Sequence, residues 1–345
     1  MTNFVFFFVI HFFINKICLK TNYLIDKKDS SDHKKKIITE DKTPLSGGLV
    51  FIIFFSFIIP HENYVLLISI ILLYSLGILS DINYLSSPSK RIILQSLLVL
   101  GFVLGSDLTI ITLSIDALDR LLDFQVIKIL FILSCFLVLI NGFNFLDGIN
   151  TLVLGNFLIC LISIYYVSIE FDLSLNFMII EKLLVILSII FIFNFFGKSF
   201  LGDSGTYSIS FLIGFICINF VYLNNTVVSP YFIASLLWYP AIENLFSIIR
   251  RYFSKTKLSK ADNNHLHHYL YLGLKMTRIS DNNLFLNTFT GMLINFYMIL
   301  SAYISSINFS HTKTLLIILL FNISVYLIIY FLMNKKIIKQ EKNIN

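Results

Sequence analysis

Eleven apolar runs, several of them shorter than a full bilayer crossing, decide what this chain can fold into. They fall at about 4–19, 49–59, 64–79, 92–104, 126–140, 152–167, 183–196, 208–223, 231–249, 284–307 and 315–333. In hydrocarbon a backbone must satisfy its own hydrogen bonds, so continuous runs of this kind become helices. A β-barrel would need alternating apolar and polar positions, which these runs lack. The chain is 57% hydrophobic with a mean hydropathy of +0.83 and only 13% charged, which excludes a soluble domain of 345 residues. The expected fold is therefore all-α: one polytopic integral membrane domain over 1–345, with about eleven transmembrane helices embedded in a lipid bilayer. Pro240 inside the ninth run predicts a kink.

Charge sets the expected orientation. The first run has no basic residue before it and is followed by Lys20, Lys27 and Lys28, the reverse of a cleaved signal. That polarity predicts a retained first span with its N-terminus outside and its C-terminus in the cytoplasm. The inside segments are then about 20–48, 80–91, 141–151, 197–207, 250–283 and 334–345. They hold 7, 2, 0, 1, 7 and 4 Lys and Arg residues, which is 21 of 26. Basic residues in short loops beside spans set topology, so the net charge of +6 is no sign of nucleic-acid binding. The four cysteines lie in apolar runs without a Cys-x-x-Cys pair, and neither a disulfide framework nor a zinc site is indicated.

The chemistry-bearing residues crowd the loops that this topology places inside. The sequence 141–150 puts Asn141, Asn144 and Asp147 three apart at the mouth of a helix pair, flanked by Gly142 and Gly148. Amides and a carboxylate there are costly unless satisfied. Interhelical hydrogen bonding and helix capping are one use for them, and a binding site is the other. Thr43-Pro44-Leu45-Ser46-Gly47-Gly48 is either a turn or a set of backbone N–H groups offered to a phosphate. Asp81 ends an apolar run after Ser80, and Lys90 and Arg91 open the next, as interface anchors or as phosphate-holding groups. Asp203, between Gly202 and Ser204-Gly205 and downstream of Asn194, can cap a helix or reach a hard cation such as Mg²⁺. Arg250 and Arg251 precede His265, His267 and His268, a group suited either to zinc or, with the basic residues nearby, to handling anions. In a helix, His265 and His268 would share a face and His267 would not.

In this order and combination, the segments 77–90, 141–150, 194–206 and 265–268 resemble the polyprenyl-phosphate N-acetylhexosamine-1-phosphate transferases. The likeness extends over about 43–270. It implies a ten- or eleven-helix fold in the bacterial cytoplasmic membrane with its active site on the cytoplasmic face. The implied reaction moves a sugar 1-phosphate from a UDP-sugar to undecaprenyl phosphate and releases UMP. By position, Asp203 matches the Mg²⁺ ligand (Mn²⁺ can take its place) and Asn144 an amide that helps hold the metal. Asp81 matches the second of an aspartate pair, Lys90 the lysine on the lipid phosphate, and Asp147 with Asn150 the nucleotide-side motif. His265, His267 and His268 match the group gripping diphosphate or sugar, and their His-x-His-His form is of the UDP-GlcNAc type. Gly47, Gly48, Asn141, Asn194, Arg250 and Arg251 complete the expected substrate-binding set, and the family offers a homodimer as precedent.

Two departures bear on mechanism. Ser80 stands where the family has the first aspartate of its pair, and Asn150 where many members have aspartate. A phosphomonoester with a second pKa of about 6 is already largely ionised at neutral pH, so a general base has little to remove. The expectation is therefore a single displacement rather than a covalent intermediate. A transporter or flippase would instead bring its polar groups to mid-membrane, and an inactive relative would not need Asp81, Lys90, Asn144 and Asp203.

Overall fold

The structure, a computed structural model, describes residues 2–27, 42–55, 63–255 and 264–344. The charged stretch 28–41, residues 56–62 of the second apolar run, and 256–263 of the longest inside segment lie outside the described residues.

The apolar runs are helices. In order they are α1 (Thr2–Thr21), α2 (Gly47–Phe55), α3 (Tyr64–Asp81), α4 (Pro88–Gly105), the short α5 (Asp116–Leu122), α6 (Gln125–Leu146), α7 (Leu152–Glu170), α8 (Phe177–Phe195), α9 (Gly202–Leu223), α10 (Pro230–Leu236), α11 (Trp238–Phe253), α12 (Leu266–Met276), α13 (Asn283–Ile307) and α14 (Thr312–Ile344). Among the described residues nine are long and apolar enough to cross a membrane, or ten if α10 and α11, bent by 73° to one another, count as one span. The expectation is about eleven over the whole chain, and the second of those runs extends into residues outside the described ones. The described part of the second run lies in the nine-residue α2. The kink falls before Pro240 rather than on it: α10 and α11 meet at Leu237, leaving Pro240 in the first turn of α11, where its missing N–H costs nothing. Two further differences are local. A hairpin of β1 (Ile25–Lys27) and β2 (Lys42–Pro44) precedes α2, and α14 stays helical through the residues expected to form a tail.

The helices pack around α9, of whose span 67% is buried, against 17% for α1. Phe211 of α9 sits 4.9 Å from Phe102 of α4 and 4.8 Å from Phe136 of α6, ring centre to ring centre. The outward faces keep Leu97, Ile162, Phe296 and Phe331 exposed, the surface expected of a bundle solvated by lipid. α1 is pinned to this bundle by polar groups. Ser46 donates to Asn15, and Ser199 meets both Ser46 (2.8 Å) and His11 (3.3 Å).

One end of the bundle collects the polar turns. The C-terminus of α3 touches the N-terminus of α9 through Asp81, and the start of α4 reaches it through Arg91. The end of α6 meets it through Asn144, and Asn194 at the end of α8 holds Thr151 at the start of α7. Gly77 lets α3 lie on the Ser204 backbone, where any β-carbon would collide.

Candidate active site

The site is built on the first turn of α9. Gly202 opens it with φ +70°, in the left-handed region, and a β-carbon there would also strike the Asp81 carboxylate. Glycine is required on both counts. A helix start leaves backbone N–H groups without partners and carries partial positive charge. Here a carboxylate from another helix supplies the cap. Asp81 accepts from the Asp203 N–H at 2.8 Å and from the Ser204 N–H at 3.1 Å.

That cap aims the Asp203 side chain into a cluster. Its Oδ1 accepts from Asn144 Nδ2 at 2.7 Å. Its Oδ2 accepts from Arg91 Nη1 at 2.8 Å, from the Tyr207 hydroxyl at 3.2 Å and from Ser80 Oγ. Arg91 also donates to Ser80 Oγ at 2.8 Å, so Ser80 relays between guanidinium and carboxylate. Asp147, just past the end of α6, completes the group. Its carboxyl is pushed well above the usual carboxylate range, first by desolvation and then by the charges of Asp203 and Asp81. Three carboxylates thus surround one helix end, with one guanidinium in direct contact.

A second cluster adjoins the Asp147 turn. His265, His267 and His268 gather with ring centres 4.3 to 5.6 Å apart. His265 lies just before α12, outside the helix, so the shared-face expectation for His265 and His268 does not apply. His265 packs on Phe145 at 5.2 Å, and the Nε2 of His268 presses against Gly148, where a β-carbon would sit 3.1 Å from it. The histidines and the Asp147 turn are therefore neighbours.

Several expected site residues do other work. Lys90 is exposed at the surface, and its neighbour Arg91 turns inward to Asp203. Gly47 and Gly48 give their N–H groups to the carbonyls of Phe200 and Leu201, so they seat α2 on the loop before α9 instead of cradling a phosphate. Asn141 donates to Gln95 of α4 and to Leu137 O, an interhelical tie. Asn150 is buried; its side chain donates to Thr288 and its backbone N–H to Asn287. Asn194 joins two turns, accepting from Thr151 N and donating to Ser199 O. Arg250 reaches Asn264 O and the Tyr330 hydroxyl (2.8 Å), holding α11, the start of α12 and α14 together. Arg251 follows it on α11.

Residues unassigned from sequence also enter: Tyr207, one helical turn after Asp203, and Glu243, which accepts from His265. A carboxylate inside an apolar run was the available signal for Glu243.

Residues 63–221 match the family glycosyl transferase family 4. One curated relative is 30% identical over 135 residues, which is 38% of this chain: a probable undecaprenyl-phosphate N-acetylglucosaminyl 1-phosphate transferase of Bacillus subtilis (strain 168). The match spans 37% of that relative's length.

Proposed function

We propose that this chain, whose residues 63–221 match glycosyl transferase family 4, transfers a sugar 1-phosphate from a UDP-N-acetylhexosamine, GlcNAc by preference, to undecaprenyl phosphate. The observation that carries the reading is the gathering of Asp203, Arg91, Asn144 and Asp81 at one helix end. The Bacillus subtilis relative, a probable undecaprenyl-phosphate N-acetylglucosaminyl 1-phosphate transferase, supports the acceptor and the sugar. A phosphate oxygen of the lipid would attack the phosphorus that bears the sugar; the bond to the UMP oxygen would break, and UMP would leave. The lipid-linked diphosphate sugar would then begin a cell-surface polysaccharide.

Two anions must meet for this, and the chain's own groups offset their repulsion. Arg91 presents a planar fork that matches phosphate oxygens. The amides at the start of α9 add partial positive charge. Asp147 and the histidine cluster flank the donor side, and Lys90 lies at the surface where a lipid head group arrives.

The donor set also suits Mg²⁺. It consists of carboxylate oxygens with an amide, and its negative charge exceeds what Arg91 offsets. Among the described residues no three His, Cys, Asp or Glu side chains form a ready cage. Mg²⁺ takes one or two carboxylates and fills its shell with water and phosphate. Asp203 and Asn144 would hold it. When bound it would neutralise diphosphate charge and ease departure of UMP.

Membrane fractions incubated with radiolabelled UDP-GlcNAc, Mg²⁺ and undecaprenyl phosphate should yield a lipid-extractable labelled product and UMP. Absence of both from active-folded protein, with a full panel of UDP-sugars, would overturn the assignment.

A further inference from the structure

We infer that Glu243 is the positioning residue of the histidine cluster, setting the orientation of the His265 ring and the start of α12 through a single carboxylate oxygen. The inference rests on the transferase reading above and adds a residue to that site.

Glu243 sits on α11, three residues after Pro240, and is 1% exposed. A carboxylate there is costly in an apolar helix unless it is paired. Its Oε1 receives His265 Nδ1 at 2.9 Å and the Leu266 N–H at 3.2 Å. Leu266 is the first residue of α12, so this is a cap delivered from another helix. The residue in the cap position, His265, makes no side-chain cap of its own. Its ring is turned to Glu243 instead.

A cap alone would explain the bond to Leu266 but not the bond to the ring. The ring is held from its other sides as well: it lies 5.2 Å from Phe145 and nearly parallel to His267, at 5.4 Å and 10°. His267 leads to His268 at 4.3 Å, and His268 touches Gly148 beside Asp147. Committing the Nδ1 edge to a buried carboxylate therefore fixes the rotation of one ring, on which His267 stacks and which His268 meets edge-on. Where the ring carries both protons, Glu243 takes the Nδ1–H, and the Nε2–H is the donor that can meet a phosphate oxygen.

The test is a double-mutant cycle on the full chain in membranes. Wild type, Glu243→Gln, Glu243→Leu, His265→Ala and the Glu243→Leu/His265→Ala pair are assayed for labelled lipid at varied UDP-GlcNAc and varied acceptor. Glu243→Leu should raise KM for the UDP-sugar about tenfold and leave the acceptor KM unchanged. Glu243→Gln keeps an oxygen that can accept from both N–H groups and should restore most of the loss. The double variant should be no more than about twofold worse than the poorer single variant. Should Glu243→Leu fail to extract as a monodisperse protein, Glu243→Asp replaces it in the same cycle, with the same non-additivity expected. Wild-type behaviour of both Glu243 variants, or losses that multiply, overturns the positioning role alone. A wild-type chain that labels no lipid overturns the transferase reading and this inference with it.

Discussion

The side chain of Asp81 accepts the backbone N–H of Asp203 at 2.8 Å, so two carboxylates expected to share a site are joined through the peptide of one of them. One carboxylate builds the turn, and the other is displayed by it. The two should respond differently to the same substitution.

Asp81→Asn removes charge from the cap of α9 and leaves one oxygen for two N–H groups. It should lower the thermal midpoint of the purified protein, reflecting a loss of about 1–2 kcal/mol, and nearly abolish transfer. Asp203→Asn should also nearly abolish transfer, with a much smaller shift in the midpoint. Activity assays paired with thermal melts in one detergent separate the two. Equal destabilisation by both would contradict the division of labour.

Arg91, rather than Lys90, should carry the phosphate-facing charge. Arg91→Ala should lower kcat/KM by about 100-fold, whereas Lys90→Ala should stay within about threefold, as expected for an exposed charge. Arg91→Lys should fall between, because a point charge replaces the fork. A larger loss at Lys90 than at Arg91 would reverse the assignment.

These adjacent residues show where sequence reasoning stops. Neighbours in a helix point about 100° apart, so the chain alone does not say which cation faces inward. The spans were legible because lipid leaves a backbone no partner but itself. The crowding of acid, amide and base into a few loops was legible too. The uses of Asn141, Asn150 and Asn194 were not: an amide that ties two turns reads the same as one that binds a ligand, and only their partners Gln95, Thr288 and Thr151 distinguish them. The drift of about 60° per three residues turns Asn144 toward Asp203 while Asn141 faces α4.

Ser80→Ala should be mild, within about threefold in kcat/KM. The Oγ that it deletes bridges Arg91 and Asp203, but those two already touch directly at 2.8 Å, and a neutral hydrogen bond contributes only about 1 kcal/mol. Steady-state kinetics decide. A loss as deep as that of Asp203→Asn would return Ser80 to the chemistry and undermine the single displacement.

Gly202→Ala should damage stability and activity together. The left-handed backbone costs alanine about 1–2 kcal/mol, and its β-carbon would push the Asp81 carboxylate off the α9 amides. A lower melting point and loss of labelled lipid product are expected. A variant that melts like wild type would show that the turn relaxes without cost.

Asp203, Ser204 and Thr206 leave the first turn of α9 to meet Asp81, Asn144 and Ser80 on two other helices. Competence is therefore tied to the seating of a single rod end: rotate or withdraw it slightly, and all these pairings fail at once. Detergents or lipids that loosen the bundle should switch the protein off abruptly, without a graded series of weakened forms.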